Sequence, residues 1–109
     1  MVTPYVPDAG DIVWLQFDPQ TGQEQAGHRP ALVLSPASYN RVRGMMIACP
    51  MTSRIKGYPF EVVVSHQPPS AVLSDQIRSL DWRARRASFK GKVPAAVLAE
   101  AQAKIKTLL

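Results

Sequence analysis

Two clusters of polar side chains in this sequence could do chemistry together. Glu24, His28 and Arg29 lie within residues 18–30, and Thr52, Ser53, Arg54 and Lys56 lie in the segment TSRIKGY. A carboxylate, an imidazole, a guanidinium and hydroxyls suit phosphodiester cleavage without a metal. They offer a base for an attacking hydroxyl, an acid for the leaving oxygen and donors for charge at phosphorus. The same residue types fill ordinary solvated loops, so spacing alone leaves both readings open. Other chemistries find less. Residues 22–27, GQEQAG, have the glycine spacing of a phosphate-binding loop, but His28 and Arg29 follow where Lys and Ser or Thr belong. Pro30 then blocks the helix whose N-terminus would hold the phosphate. There is no GxSxG elbow for a serine hydrolase. The histidines, His28 and His66, and the single cysteine, Cys49, do not fall at metal-ligand spacing, so neither a metal nor a cofactor is expected.

The elements that must position these clusters can be read from periodicity. DIVWLQF, residues 11–17, reads as a strand apolar on both faces, hence a central one. Residues 18–30 read as a long loop, of the kind that tends to be functional in a small domain. Residues 31–35 and 45–51 read as the second and third strands, with Pro50 marking an end or an edge. The polar loop 52–58 follows. Residues 60–65 form a fourth strand, 66–70 a Pro-rich turn, 72–80 a fifth strand and 87–92 a short sixth. Residues 94–109 lack glycine and place Leu98, Ala101, Ile105 and Leu108 at helical spacing, with Lys104 and Lys106 outside that stripe. Pro94 suits the first turn of such a helix. The expected fold is mainly β with a C-terminal helix: a curled, mostly antiparallel sheet or SH3-like small barrel.

At 109 residues the chain predicts a single domain, residues 1–109, and ten prolines argue against a helix bundle. The lone cysteine fits a reducing cytoplasm, and neither a membrane span nor a signal peptide is evident. The net charge of +5 is unevenly placed. Residues 1–74 hold five basic and five acidic side chains; residues 75–109 hold eight and three. The excess concentrates between Arg78 and Lys92, interleaved with Trp82 and Phe89. Cations and rings in that arrangement suit a nucleic-acid strand, and they equally suit a solvated face over a core tryptophan. Trp14 and Trp82 are expected in the core, with the groove an alternative for Trp82.

Three segments carry a family resemblance. YVPDAGDIVWLQFDPQTGQEQAGHRPALVLSP, PMTSRIKGYPFEV and SDQIRSLDWRAR resemble, in that order, the segments of the MazF/PemK family of toxin endoribonucleases. The resemblance implies an SH3-like barrel in the PemK/CcdB-like toxin fold, paired as a homodimer. It implies ribosome-independent cleavage of single-stranded RNA at short motifs, and neutralisation by an acidic, MazE-like antitoxin. It places catalysis on Arg29, Thr52 and Glu24, and substrate contacts on Phe17 and Lys56. Attack by the 2′-hydroxyl on its own 3′-phosphate would yield a 2′,3′-cyclic phosphate and a 5′-hydroxyl, and would spare DNA. A guanidinium is too weak an acid to serve as base near neutrality, so Arg29 is assigned to charge at phosphorus. Glu24 or His28 is left as the base, His28 being equally readable as a packed residue. His28, Ser53, Arg78, Arg83, Arg85 and Arg86 complete the expected substrate contacts. The alternatives are a gyrase-poisoning CcdB-like toxin and an inactive RNA-binding barrel.

Overall fold

The first strand, β1 (Asp11–Phe17), lies inside the sheet, with Val13 and Leu15 buried on one face and Ile12 buried on the other. The computed structural model describes residues 4–17, 27–65 and 68–109. Glu24 and His66 lie outside the described residues. In chain order the elements are β1, β2 (Gly27–Val33), α1 (Ala37–Arg43), β3 (Met46–Thr52), β4 (Glu61–Val64), β5 (Ser70–Leu73), β6 (Arg78–Leu80), β7 (Ser88–Lys92) and α2 (Ala95–Lys106). All the strand pairs are antiparallel and form one seven-stranded sheet in the order β4-β5-β3-β2-β1-β7, with β6 also on β3. This is the mainly β half-barrel with a C-terminal helix that the pattern predicts.

Alternation along β1 to β3 divides the interior into two cores. Ile12, Leu32, Cys49 and Met51 face β4, β5 and α2. Val13, Leu15, Ala31, Val33, Met46 and Ala48 face Leu80 and Trp82. Trp82 is buried and its Nε1 donates to Asn40 O at 2.9 Å, so it is core rather than groove. Trp14 is only half-buried, which corrects its placement in the core. The register shift between β1 and β7 leaves Lys90 without a partner on β1. Its ammonium lies 5.3 Å from the Trp14 ring centre, while His28 stacks on that ring at 5.5 Å.

Several boundaries move from their expected places. β2 begins at Gly27, not residue 31, because GHRP pairs with the far end of β1: Gln16 opposite His28, Leu15 opposite Arg29. The run 72–80 is two strands, not one. β5 and β6 share the edge of β3 away from β2, but Met51 pairs with Val72 while Ala48 pairs with Arg78. Three steps along β3 thus match six along the partner, and a turn closed by Gln76 N–H to Leu73 O absorbs the excess. α1 lacks an apolar signature because its buried residue is polar. Asn40 Nδ2 donates to Pro7 O and Ser35 O, and its Oδ1 accepts from Ser35 Oγ. Gly44 ends that helix at φ 66°, a left-handed position glycine tolerates. In α2, Ala101 and Ile105 are buried, but Leu108 lies past the helix end and is exposed. Among the described residues, no helix is long and apolar enough to cross a membrane.

The feature that matters most for function is where the β2–β3 ladder stops. It contains only Val33–Ala48, Leu32–Cys49 and Ala31–Pro50. Pro30 and Pro50, which lack a backbone donor, stand at its end. Beyond them the strands part: β2 continues on β1 alone, and β3 continues on β5. Pro50 therefore does not end its strand; it ends one of the strand's three ladders.

Candidate functional site

Continued by two residues, the register of the interrupted ladder would set Arg29 opposite Thr52. Alternation also puts both on the face of Ala31 and Ala48. The gap beyond the prolines is thus flanked by a guanidinium on β2 and a hydroxyl on β3. Arg29 is half-buried, and its Nη2 donates to Met51 O across the gap at 3.5 Å. Burial lowers its pKa from the ordinary guanidinium value, because lost hydration disfavours the charge. A charge held this way gains more from an incoming anion than a fully hydrated one. Thr52 Oγ1 accepts the Arg54 N–H at 3.0 Å, which leaves its own O–H to donate into the gap.

The loop 53–60 leaves β3 directly from this gap. Ser53, Arg54, Ile55, Lys56 and Tyr58 are exposed, and the Lys56 ammonium lies 5.8 Å from the Tyr58 ring centre. The loop wraps a buried carboxylate. Glu61 Oε1 accepts the N–H groups of Lys56 (3.1 Å), Gly57 (2.7 Å) and Tyr58 (3.3 Å). Lys104 of α2 closes the loop from the other side, donating to Pro59 O at 2.6 Å and Glu61 O at 3.0 Å. The sequence reading missed both residues. Lys104 looked like a solvated residue outside the apolar stripe. Glu61 fell inside the expected strand 60–65, though an acid closing the basic segment TSRIKGYPFE was a signal.

The remaining candidates divide into groups. His28 is exposed on the sheet face opposite Arg29, as successive strand residues must be, and is stacked on Trp14. Phe17 closes β1 opposite Gly27. Arg85 is drawn to the same end of β1, its carbonyl accepting Gln16 N–H at 2.8 Å, and exposed Arg86 follows at φ 55°. Arg78 opens β6 opposite Ala48, about 13 Å along β3 from Thr52 at 3.3 Å per residue. The Arg83 guanidinium lies over Trp82, 4.6 Å from the ring centre, on the α1 side. Among the described residues, no three His, Cys, Asp or Glu side chains gather as metal ligands. Glu24 belongs to the segment outside the described residues.

The antiparallel half-barrel thus carries a guanidinium and a hydroxyl across a split ladder with a cationic loop beside them, groups of the chemistry that pairs with an anion. The chain belongs to the PemK-like, MazF-like toxin family of type II toxin–antitoxin systems, whose model matches residues 8–109. It is 54% identical to the endoribonuclease toxin MazF of Escherichia coli K12 over 110 residues, covering 100% of this chain and 99% of that protein. It is 32% identical to the endoribonuclease PemK of Escherichia coli, over 94% of this chain and 81% of that one. Among solved structures, it superposes on MazF from Deinococcus radiodurans with a TM-score of 0.88 at 59% identity, covering 96% of this chain and 97% of that one. A MazE–MazF crystal structure from the same organism matches with the same score and identity. The nuclease names of the curated relatives favour the nuclease reading over gyrase poisoning.

Proposed function

We propose that this chain is an endoribonuclease toxin that cleaves single-stranded RNA without a metal. The observation that supports the reading is the split ladder, whose register, continued by two residues, sets Arg29 and Thr52 opposite one another on one face. The scissile phosphate binds in the gap between them. Arg29 pairs with its non-bridging oxygens and holds the charge that grows as the 2′-hydroxyl attacks. Thr52 donates its hydroxyl to the same centre. The base is Glu24, because His28 stands on the other face of β2. The products are a 2′,3′-cyclic phosphate and a 5′-hydroxyl end.

Ser53, Lys56, Arg78, Arg85, Arg86 and Phe17 contact the flanking nucleotides; His28, on the other face of β2, and Arg83, over Trp82 on the α1 side, stand apart from that group. The basic last third of the chain is equally suited to an acidic antitoxin, which would compete with RNA for it. The 109 residues act as a single domain in the cytoplasm, and two copies pair. The pairing is supported by an apolar groove of about 350 Å³ lined by Leu34, Ile47, Ile77, Ile105 and Leu109, with Ile77 and Leu109 exposed. A second copy would cover it.

The test is incubation with labelled single-stranded RNA and DNA in EDTA, followed by end analysis. Cyclic-phosphate ends from RNA alone are expected. Intact RNA with inhibited gyrase, or salt-sensitive binding without cleavage, refutes the reading. A size-exclusion mass of one chain at micromolar concentration refutes the pairing.

A further inference from the structure

An acidic residue next to a phosphate-binding loop opposes the loop's task. Glu61 is nevertheless buried where the loop 53–60 joins β4. Its carboxylate is consumed by the loop itself, through the N–H groups of Lys56, Gly57 and Tyr58. Charge-assisted bonds of this kind are about twice as strong as neutral ones. Gly57 adopts φ 80°, which lets consecutive amides turn toward one oxygen. On the far side Lys104 holds Pro59 O and Glu61 O, and is itself held by Glu100 at 3.3 Å. Phe60 O is taken by the Ser74 N–H at 3.1 Å. Between Lys56 and Phe60, each backbone group engaged in this way is tied to Glu61, Lys104 or Ser74, while the side chains of Lys56 and Tyr58 stay exposed.

We propose that Glu61 is a positioning residue for substrate reading. By gathering three amides it fixes the direction in which Lys56 and Tyr58 meet the nucleotides beside the cut, and Lys104 transmits the anchor of α2 to the same loop. The proposal rests on the nuclease reading above and deepens it. Glu61 itself touches no substrate; it acts through the loop. The gap residues Arg29 and Thr52 stand on β2 and β3, outside the collar, so loosening the loop should weaken recognition more than chemistry.

The test compares wild type with Glu61→Gln, Glu61→Ala and Lys104→Met on a defined oligoribonucleotide and on a mixed RNA pool. Gln keeps an accepting oxygen but not the charge. It should raise KM about tenfold with kcat within about twofold, and relax the cleaved motif. Ala should do more of the same, and Lys104→Met should shift KM in the same direction. Amide exchange should speed at Lys56, Gly57 and Tyr58 in Glu61→Gln, with the β1–β2–β3 amides unchanged, which separates a loosened loop from a failed fold. Unchanged KM and cut sites in Glu61→Gln and Lys104→Met would overturn the proposal alone. A fall in kcat at constant KM would also overturn it. Wild-type protein that leaves RNA intact sinks the nuclease reading and this proposal together.

Discussion

Replacing Arg29 by alanine should separate catalysis from folding. The guanidinium is half-buried, yet the contact it makes across the gap is a carbonyl at 3.5 Å, the outer limit of a hydrogen bond. Among the described residues the guanidinium gives up part of its hydration for this one long bond, and that burial is the cause of its lowered pKa. Removing it forgoes little, so Arg29→Ala should melt near the wild-type temperature. Catalysis should fall. One neutral donor to a transition-state oxyanion is worth about 2.7–4 kcal/mol, or about a hundred- to a thousandfold in rate. A charged donor bonds about twice as strongly, so Arg29→Ala should lose about a thousandfold or more. Arg29→Lys is the sharper variant. It keeps the charge but has no planar fork to hold Met51 O and two phosphate oxygens together, and should lose about a hundredfold. The assay is single-turnover cleavage of a dye-labelled oligoribonucleotide in EDTA. It is run beside a thermal melt and anisotropy binding to the same strand carrying a 2′-deoxy nucleotide at the cut. Cleavage by Arg29→Ala within about tenfold of wild type refutes the reasoning. So does a melting temperature more than about 5 °C lower, which would make Arg29 a structural residue.

Thr52→Val removes the hydroxyl at nearly constant shape, and single-turnover kinetics should show a loss of about a hundredfold with little change in RNA binding. His28→Gln should retain kcat in single-turnover cleavage, since its ring lies on the other face of β2, stacked on Trp14. Asp8 gives a test of pH-dependent stability. The Ala37 N–H, then the Ala9 N–H and the Lys92 charge, hold its carboxyl below the usual value against the opposing effect of burial. A lowered folded pKa contributes stability above the unfolded value of about 3.9 and loses it as pH falls through the folded value. Melts of Asp8→Asn should therefore lie below wild type at neutral pH and converge with it near about pH 2.

The fold was legible where burial follows a simple period. β1 could be placed to the residue because both of its faces are apolar, and α2 because Ala101 and Ile105 recur at helical spacing. Legibility failed where polar groups do the structural work. α1 hides behind Asn40, whose partners Pro7, Ser35 and Trp82 are far apart in sequence. The break between β5 and β6 hides because SDQI contains neither Gly nor Pro. Arg29 and Thr52 were found as residue types in the right neighbourhood. Their placement opposite one another depended on a strand register that no local pattern encodes. His28 shows the reverse: adjacency to Arg29 in sequence suggested shared chemistry, and the alternation of a strand sends the two to opposite faces.

The short ladder that ends at Pro30 and Pro50 also bears on when activity can begin. Arg29 and Met51 are 22 residues apart in the chain, and three residue pairs between β2 and β3 set their approach. Contacts of that span form only after the intervening loop has closed, and three pairs are too few to persist without the cores on either side. Neither half of the gap is a site alone. A chain still emerging from synthesis, or one partly unfolded by heat or a protease, holds every candidate side chain of the gap and cannot cut. Activity therefore requires the folded sheet and is lost when the domain unfolds. Conditions that unfold the sheet should therefore silence this protein before any bond of the chain is cut.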